Sequence, residues 1–211
     1  MAQATPPPSD EDRAKIYGLA ESDLHLTNLV LGEEECVRLV GREDSPHGKS
    51  AHRIPVKSVA DLKRMIGLPD AVAQARCRRC PEGLAELPAP TFNTKADLTP
   101  GQIGVLRLAA EEYVHGNSAI VSQFAPGIDR VIGLISNANI IGFFYQDITV
   151  ERNAVLTIDP SVSVLYANTV LIKRGGSIRV LGQIKMDFST LKGETQISIP
   201  FPSGVSAALV R

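Results

Sequence analysis

The sequence contains no tryptophan, four tyrosines, six phenylalanines and only three cysteines among its 211 residues. Three cysteines cannot build a disulfide scaffold, which favours a reducing, cytoplasmic environment. No apolar run reaches about 18 residues, so we expect no membrane-spanning helix. The first residues also lack the basic and apolar segments of a secretory signal. A formal charge of −1 argues against a protein dedicated to nucleic-acid binding.

The chain does contain enough apolar residues, 44% of positions, for one sizeable core or two small ones. Residues 1–12 combine three prolines with acidic side chains and predict a disordered tail. Residues 13–98 predict a small β/α portion. It begins with a short helix that has Ile16 and Leu19 on one side. A β-hairpin formed by residues 24–31 and 36–40 follows, because apolar residues alternate there on either side of Gly32.

Helical signals dominate the middle of the chain. Thr99 is a good N-cap, Pro100 suits the first helical position, and Gln102 completes a capping box. Apolar residues then recur at helical spacing until Gly116, and a second helix follows Pro126. We therefore predict a helical region over residues 99–146 that covers the sheet following it.

The C-terminal third shows strand alternation and an internal repeat at an offset of 22 residues. The apolar matches are Ile148 with Val170, Val150 with Ile172, Leu156 with Ile178, Ile158 with Val180, Val162 with Ile184, Val164 with Met186 and Tyr166 with Phe188. Asn153 aligns with Gly175, the two residue types that most readily accept positive φ. The same offset places Glu151 beside Lys173.

Two architectures are compatible with this repeat. A β-solenoid-like module of two coils would stack matching residues as ladders, whereas antiparallel hairpins would belong to a sandwich or jelly roll. We favour the solenoid because the matches continue from Val162 to Tyr166, outside the hairpins. Over residues 147–190 the pattern resembles parallel β-helix proteins, without a motif diagnostic of one family. The predicted class is α+β, with the repeat module and a C-terminal arm over residues 147–211.

Two coils leave strand edges exposed, which predicts an oligomer. The last 16 residues are almost uncharged, and Pro200 and Pro202 prevent that arm from forming a full central strand. An apolar arm of this kind favours exchange or packing between subunits, with a dimer as the simplest closed assembly. The alternative is that the arm folds back and seals its own coil.

Cys77 and Cys80 form the sharpest short motif, a C-x-x-C pair. A structural zinc ion needs four ligands, and Cys36 and the histidines form no second pair. A redox pair and a structural i, i+3 pair on a helix are the other interpretations. We therefore predict no metal ion and no cofactor.

Basic residues are the predicted binding residues, because they gather on the outside of the repeat: Lys173, Arg174, Arg179 and Lys185, beside Arg152. They would suit an acidic peptide segment or a C-terminus. A solvated face that discourages edge pairing is the plainer interpretation. The acidic residues of the repeat show no spacing that pairs two carboxylates for glycoside chemistry, and Asp187 is expected to point outward from the apolar ladder.

No convergent catalytic set is present, so the sequence favours a non-enzymatic role. The hypothesis is binding or assembly through a protein or peptide partner and self-association. The alternative hypothesis is a carbohydrate-binding or carbohydrate-cleaving β-helix protein. That alternative needs exposed aromatic rings, and the only candidates are Phe143, Phe144, Tyr145, Tyr166 and Phe188.

Overall fold

The computed structural model describes residues 9–20, 27–75, 83–135, 138–193, 197–198 and 209–210. The chain divides into two compact units, one of Met1–Ile54 with Ile140–Arg211 and the other of Pro55–Asn139. Helices and parallel sheets together make a mixed α/β protein. Among the described residues, no helix has the length and apolar character needed to cross a membrane.

The first unit contains two sheets. Sheet A has the strand order β1 (Leu29–Leu31), β4 (Asn139–Val150), β6 (Val164–Ile172), β8 (Lys185–Gly193) and β10 (Leu209–Val210), and β3 (His52–Pro55) also pairs with β4. Sheet B has the order β2 (Cys36–Leu39), β5 (Val155–Ile158), β7 (Ser177–Val180) and β9 (Ile197–Ser198). Consecutive strands along the chain therefore alternate between the two sheets from β4 to β10.

Neighbouring strands along both of these orders run parallel. The antiparallel hairpins of a sandwich or jelly roll are therefore wrong. The predicted hairpin over residues 24–40 is also wrong, since β1 and β2 lie in different sheets. Each pairs instead with a much later strand, β1 with β4 and β2 with β5.

The register between the repeat strands follows the matched residues. Ile148 lies opposite Val170 in sheet A, and Leu156 lies opposite Ile178 in sheet B. All four side chains have no exposed surface and belong to one core formed by inward-facing residues of both sheets. This core is the apolar ladder that alternation in the sequence indicates.

The turns between the two sheets agree with the predicted backbone. Asn153 has a φ of 58° and Gly175 a φ of 75°. A Cβ at Gly175 would lie 2.2 Å from Asn153 Oδ1, so the two turns are stacked closely. Lys173 Nζ lies 2.7 Å from Glu151 Oε1, which confirms the expected charge pair on the outside.

The pairing of β6 with β8 departs from the 22-residue offset by one position. Leu165, rather than Val164, lies opposite Met186, and Ala167, rather than Tyr166, lies opposite Phe188. Because side chains alternate along a strand, this shift changes which residues share a face. Tyr166 lies opposite Asp187 instead. Neither side chain belongs to the core between the two sheets.

Helix α1 (Asp10–Tyr17) packs on the side of sheet A that faces away from the core. Ser9 and Asp12 form its capping box, so Asp10–Asp12 are the first turn of a helix rather than part of a disordered tail. The Tyr17 ring meets Phe144 edge to face, with 5.1 Å between the centroids. The helix is only eight residues long, and this packing supplies stability that its own length cannot.

The second unit is helical, with α2 (Val59–Ile66), α3 (Asp70–Ala75), α4 (Pro100–His115) and α5 (Ala125–Gly133). Thr99 and Gln102 form the predicted capping box of α4, and α4 ends before Gly116 as expected. Lys63 Nζ lies 2.9 Å from Asp70 Oδ1 and also donates to the carbonyl of Tyr113, which ties α2, α3 and α4 together.

The helical region ends earlier than the sequence indicates. Strand β4 begins at Asn139, so residues 139–146 are strand rather than helix. Their run of buried apolar residues belongs to a strand covered on both faces, and such a run lacks the alternation that distinguishes a half-buried strand from a helix.

Candidate binding site at the open edge of sheet B

Strand β2 is the first strand of sheet B, and among the described residues it has a strand neighbour on one side only. Leu39 is fully buried in the core and Val37 packs against it, whereas Cys36 and Arg38 are exposed on the opposite face. The alternation of apolar and exposed residues therefore anchors β2 by one face and leaves its other face in solvent.

The backbone of β2 alternates as well. The N–H groups of Val155 and Asp159 donate to the carbonyls of Glu35 and Leu39, at 2.8 and 3.0 Å. In a parallel pair, a residue directs its N–H and its C=O toward the same neighbour, and the next residue directs them the other way. The N–H and C=O groups of Cys36 and Arg38 therefore face away from β5, toward the open edge.

A cavity of about 860 Å³ lies along this edge. Its lining comes from β2, the loop that follows β2 and the turn after β5: Glu35, Cys36, Val37, Arg38, Val40, Arg42, Asp44, Ser45, Pro46, His47, Asp159 and Ser161. The cavity has the volume of a typical ligand site, and a mixed polar and apolar lining beside an open strand edge suits an extended peptide.

The loop after β2 is held in place by its own hydrogen bonds. Ser45 Oγ lies 3.0 Å from the carbonyl of Val40 and 2.7 Å from that of Arg42, and it donates toward both. A Cβ at Gly48 would lie 1.9 Å from the Arg42 carbonyl oxygen, so only glycine fits there. Arg53 donates to the carbonyl of Gly41 at 3.0 Å. These contacts hold the loop in one conformation beside β2.

A carboxylate orients Arg38 toward the β5 side of sheet B. Its Nε donates to Asp159 Oδ2 at 3.1 Å, and the Ser161 N–H donates to Asp159 Oδ1 at 3.0 Å. The Ser161 backbone, together with Arg38, holds the pKa of the Asp159 carboxyl below its usual value. Asp159 therefore remains a carboxylate at neutral pH and keeps the Arg38 guanidinium on the β5 side of the outer face.

The four predicted binding residues do not form one patch. Lys173 is paired with Glu151, and Arg174 is exposed on the same turn. Arg179 is exposed on β7. Lys185 is half-buried beneath α1, with its Nζ 5.6 Å from the centre of the Tyr17 ring, and burial lowers the pKa of its amine.

A buried polar cluster beneath α1 is the arrangement that sequence reasoning missed. Asp187 points away from the apolar ladder as expected, but it is buried there at 5% exposure and lies 3.6 Å from Arg13. The Arg13 guanidinium also lies over the Tyr166 ring, 4.9 Å from its centre. Burial raises the pKa of the Tyr17 phenol, and Asp187 raises it further. The buried pair connects α1 to β8, and in the sequence only the opposite charges of Arg13 and Asp187 indicate it.

The remaining candidates from the sequence are the C-x-x-C pair and the aromatic residues. Cys77 and Cys80 lie outside the described residues, and the described part of the chain has no cluster of three metal-binding side chains. The five aromatic residues considered for sugar binding are all buried, so they offer no exposed platform.

Comparison with known proteins gives no relative from which a function could be transferred. No family model matches the chain, and neither a curated protein nor a solved structure matches it.

Proposed function

We propose that this is a non-enzymatic binding and assembly protein, and that the open edge of β2 accepts a strand from a second copy of the chain. The observation that carries the proposal is the outward-facing backbone of Cys36 and Arg38 beside a formed cavity. An exposed strand edge is a template for pairing, and strand addition is a common mode of protein recognition.

The proposal includes the architecture of the first unit as a short β-solenoid. In this interpretation the unit has four successive coils, and each coil gives one strand to sheet A and one strand to sheet B. The coils are β1–β2, β4–β5, β6–β7 and β8–β9. The support is the parallel pairing of Val150 with Ile172 and of Ile158 with Val180. A stack of coils has an edge at each end, and an end must be capped or paired.

The two ends of the stack differ. At the C-terminal end, Ile197–Ser198 pair with β7, and Leu209–Val210 pair with β8 of the same chain. Short strands of the chain itself thus occupy part of that edge, as in the fold-back alternative for the C-terminal arm. We therefore place the dimer interface at the β2 end, rather than in the C-terminal third to which the sequence pointed.

The energy available from the β2 backbone is modest. Cys36 and Arg38 offer four backbone groups, and a hydrogen bond contributes about 1 kcal/mol net. About 4 kcal/mol corresponds to a dissociation constant near 1 mM before other costs and gains. Side chains that enter the cavity must supply the rest, so we expect a reversible dimer whose population rises with concentration.

A proline at Cys36 tests the proposal. It removes an N–H that faces the open edge, and edge strands tolerate proline at such positions. The control is Cys36→Ser, which keeps the amide. We expect the wild type and Cys36→Ser to dimerise with rising concentration in light scattering, and Cys36→Pro to remain monomeric with a similar melting temperature. A folded Cys36→Pro variant that dimerises like the wild type would overturn the proposal.

A further inference from the structure

A separate apolar cavity, open to solvent on one side, lies between α2, α4 and α5 of the helical unit. Its volume is about 230 Å³. Its lining contains eight aliphatic residues and one arginine: Leu62, Leu98, Ile103, Leu106, Ala110, Ile128, Val131, Ile132 and Arg107. Because the cavity is open to solvent, this aliphatic lining is in contact with water, and covering it with an apolar group would be favourable.

The mouth of the cavity carries exposed apolar surface. Ile103 on the first turn of α4 is 40% exposed, whereas Leu106 one turn later is buried. A cavity with an aliphatic lining gives a water molecule no hydrogen-bond partners, so water occupies it poorly. An apolar group of suitable size would be more stable there than in solvent.

Arg107 gives the site its charge. Its side chain is exposed, and in the described part of the chain no carboxylate lies within ion-pair distance of it. Two other basic residues on α2 of the same unit are paired, since Arg64 lies 2.9 Å from Asp61 and Lys63 lies 2.9 Å from Asp70. A guanidinium at the rim of an apolar cavity complements a ligand with an anionic head and an apolar tail.

From this complementarity we infer that the cavity binds a small amphipathic carboxylate, with the alkyl chain inside and the carboxylate on Arg107. An apolar cavity of about 150 Å³ accepts benzene, so this cavity suits a chain of about six to nine carbons. A docking helix would need several anchors spaced along a groove. The volume here accepts a single group, which favours the small ligand over a partner helix.

Octanoate, below its micellar concentration, is the probe for the full-length protein, with calorimetry as the measurement. We expect saturable binding that weakens about fourfold for each methylene removed, on going to hexanoate and butyrate. Arg107→Gln should weaken octanoate binding about tenfold and leave octanol binding unchanged, because only the carboxylate uses the guanidinium. Lys57→Gln, an exposed charge change in the same unit that does not line the cavity, should bind octanoate like the wild type.

Filling the cavity gives an independent control. Ala110→Leu adds bulk to the lining, so it should abolish the binding of both octanoate and octanol without lowering the melting temperature. The inference is overturned if octanoate does not bind the wild type saturably. In that case a side chain of a partner protein would be the occupant to consider. It is also overturned if Arg107→Gln and the folded Ala110→Leu variant bind octanoate like the wild type.

Discussion

Individual residues of the first unit carry backbone and charge requirements that the sequence only partly reveals. Asn153 and Gly175 are identifiable in advance, because few residue types accept a positive φ and both stand at matched positions. The burial of Asp187 cannot be identified in advance, because it depends on a helix far away in the sequence. Local conformational preference is therefore readable from single positions, whereas the partner of a buried charge is not.

Gly175→Val should destabilise the protein by about 2 kcal/mol or more, because a β-branched residue at positive φ is strained and its Cβ would clash with Asn153. Asn153→Gly should change the free energy of unfolding by less than about 0.5 kcal/mol, since glycine adopts the same φ. Urea denaturation of both variants measures the difference. A neutral valine variant would contradict the stacked-turn geometry.

Arg13→Met should cost about 3 kcal/mol of unfolding free energy, because it leaves the Asp187 carboxylate buried without its cation. The double variant Arg13→Met/Asp187→Leu should be more stable than Arg13→Met, since neither charge then remains buried. A double-mutant cycle from chemical denaturation gives the coupling. Additive effects of the two substitutions would show that the buried pair does not hold α1 in place.

At the scale of elements, strand pairing separates what the sequence predicts from what it cannot. The pairing of β4 with β6 and of β5 with β7 follows a fixed offset, so alternation alone predicts the partners. Between β6 and β8 the register changes by one residue. Strand β6 has buried apolar residues on both faces over residues 164–167, so either register satisfies an apolar pattern. The pairing of β1 and β2 with β4 and β5 spans the whole helical unit, and three- and four-residue strands carry too little pattern to reveal it.

Ile178→Asp or Val150→Asp should prevent soluble folding, because each places an unpaired carboxylate in the core between the sheets. Thr157→Asp is the matched control, since Thr157 lies on the outer side of β5 beside Arg38 and Arg179, and we expect it to melt like the wild type. Circular dichroism during heating makes the comparison. Ile178→Ala, expected to cost about 2–5 kcal/mol, keeps the test measurable if the aspartate variants are insoluble. Normal melting of Ile178→Asp would contradict the ladder.

At the scale of the whole molecule, the two proposed binding features belong to different units. The first unit has a strand edge at β2, where the proposed recognition uses the backbone. The second has an open aliphatic cavity lined by Arg107, for which we propose a small anion with an apolar tail. Neither feature can be predicted from the sequence. A strand edge is open only because no other strand pairs there, and a cavity depends on how separate helices pack.

The most direct test of self-association through β2 is cross-linking at Cys36. In a two-fold dimer that continues sheet B, the two β2 strands pair antiparallel, which brings the two exposed Cys36 side chains within a few residues of each other. The variant Cys77→Ser/Cys80→Ser leaves Cys36 as the single cysteine for a short bismaleimide. The control moves that cysteine to the exposed turn, as Cys36→Ser/Arg174→Cys in the same background. We expect a covalent dimer through Cys36 and little through residue 174, whereas equal or no cross-linking at both positions would contradict assembly at the β2 edge.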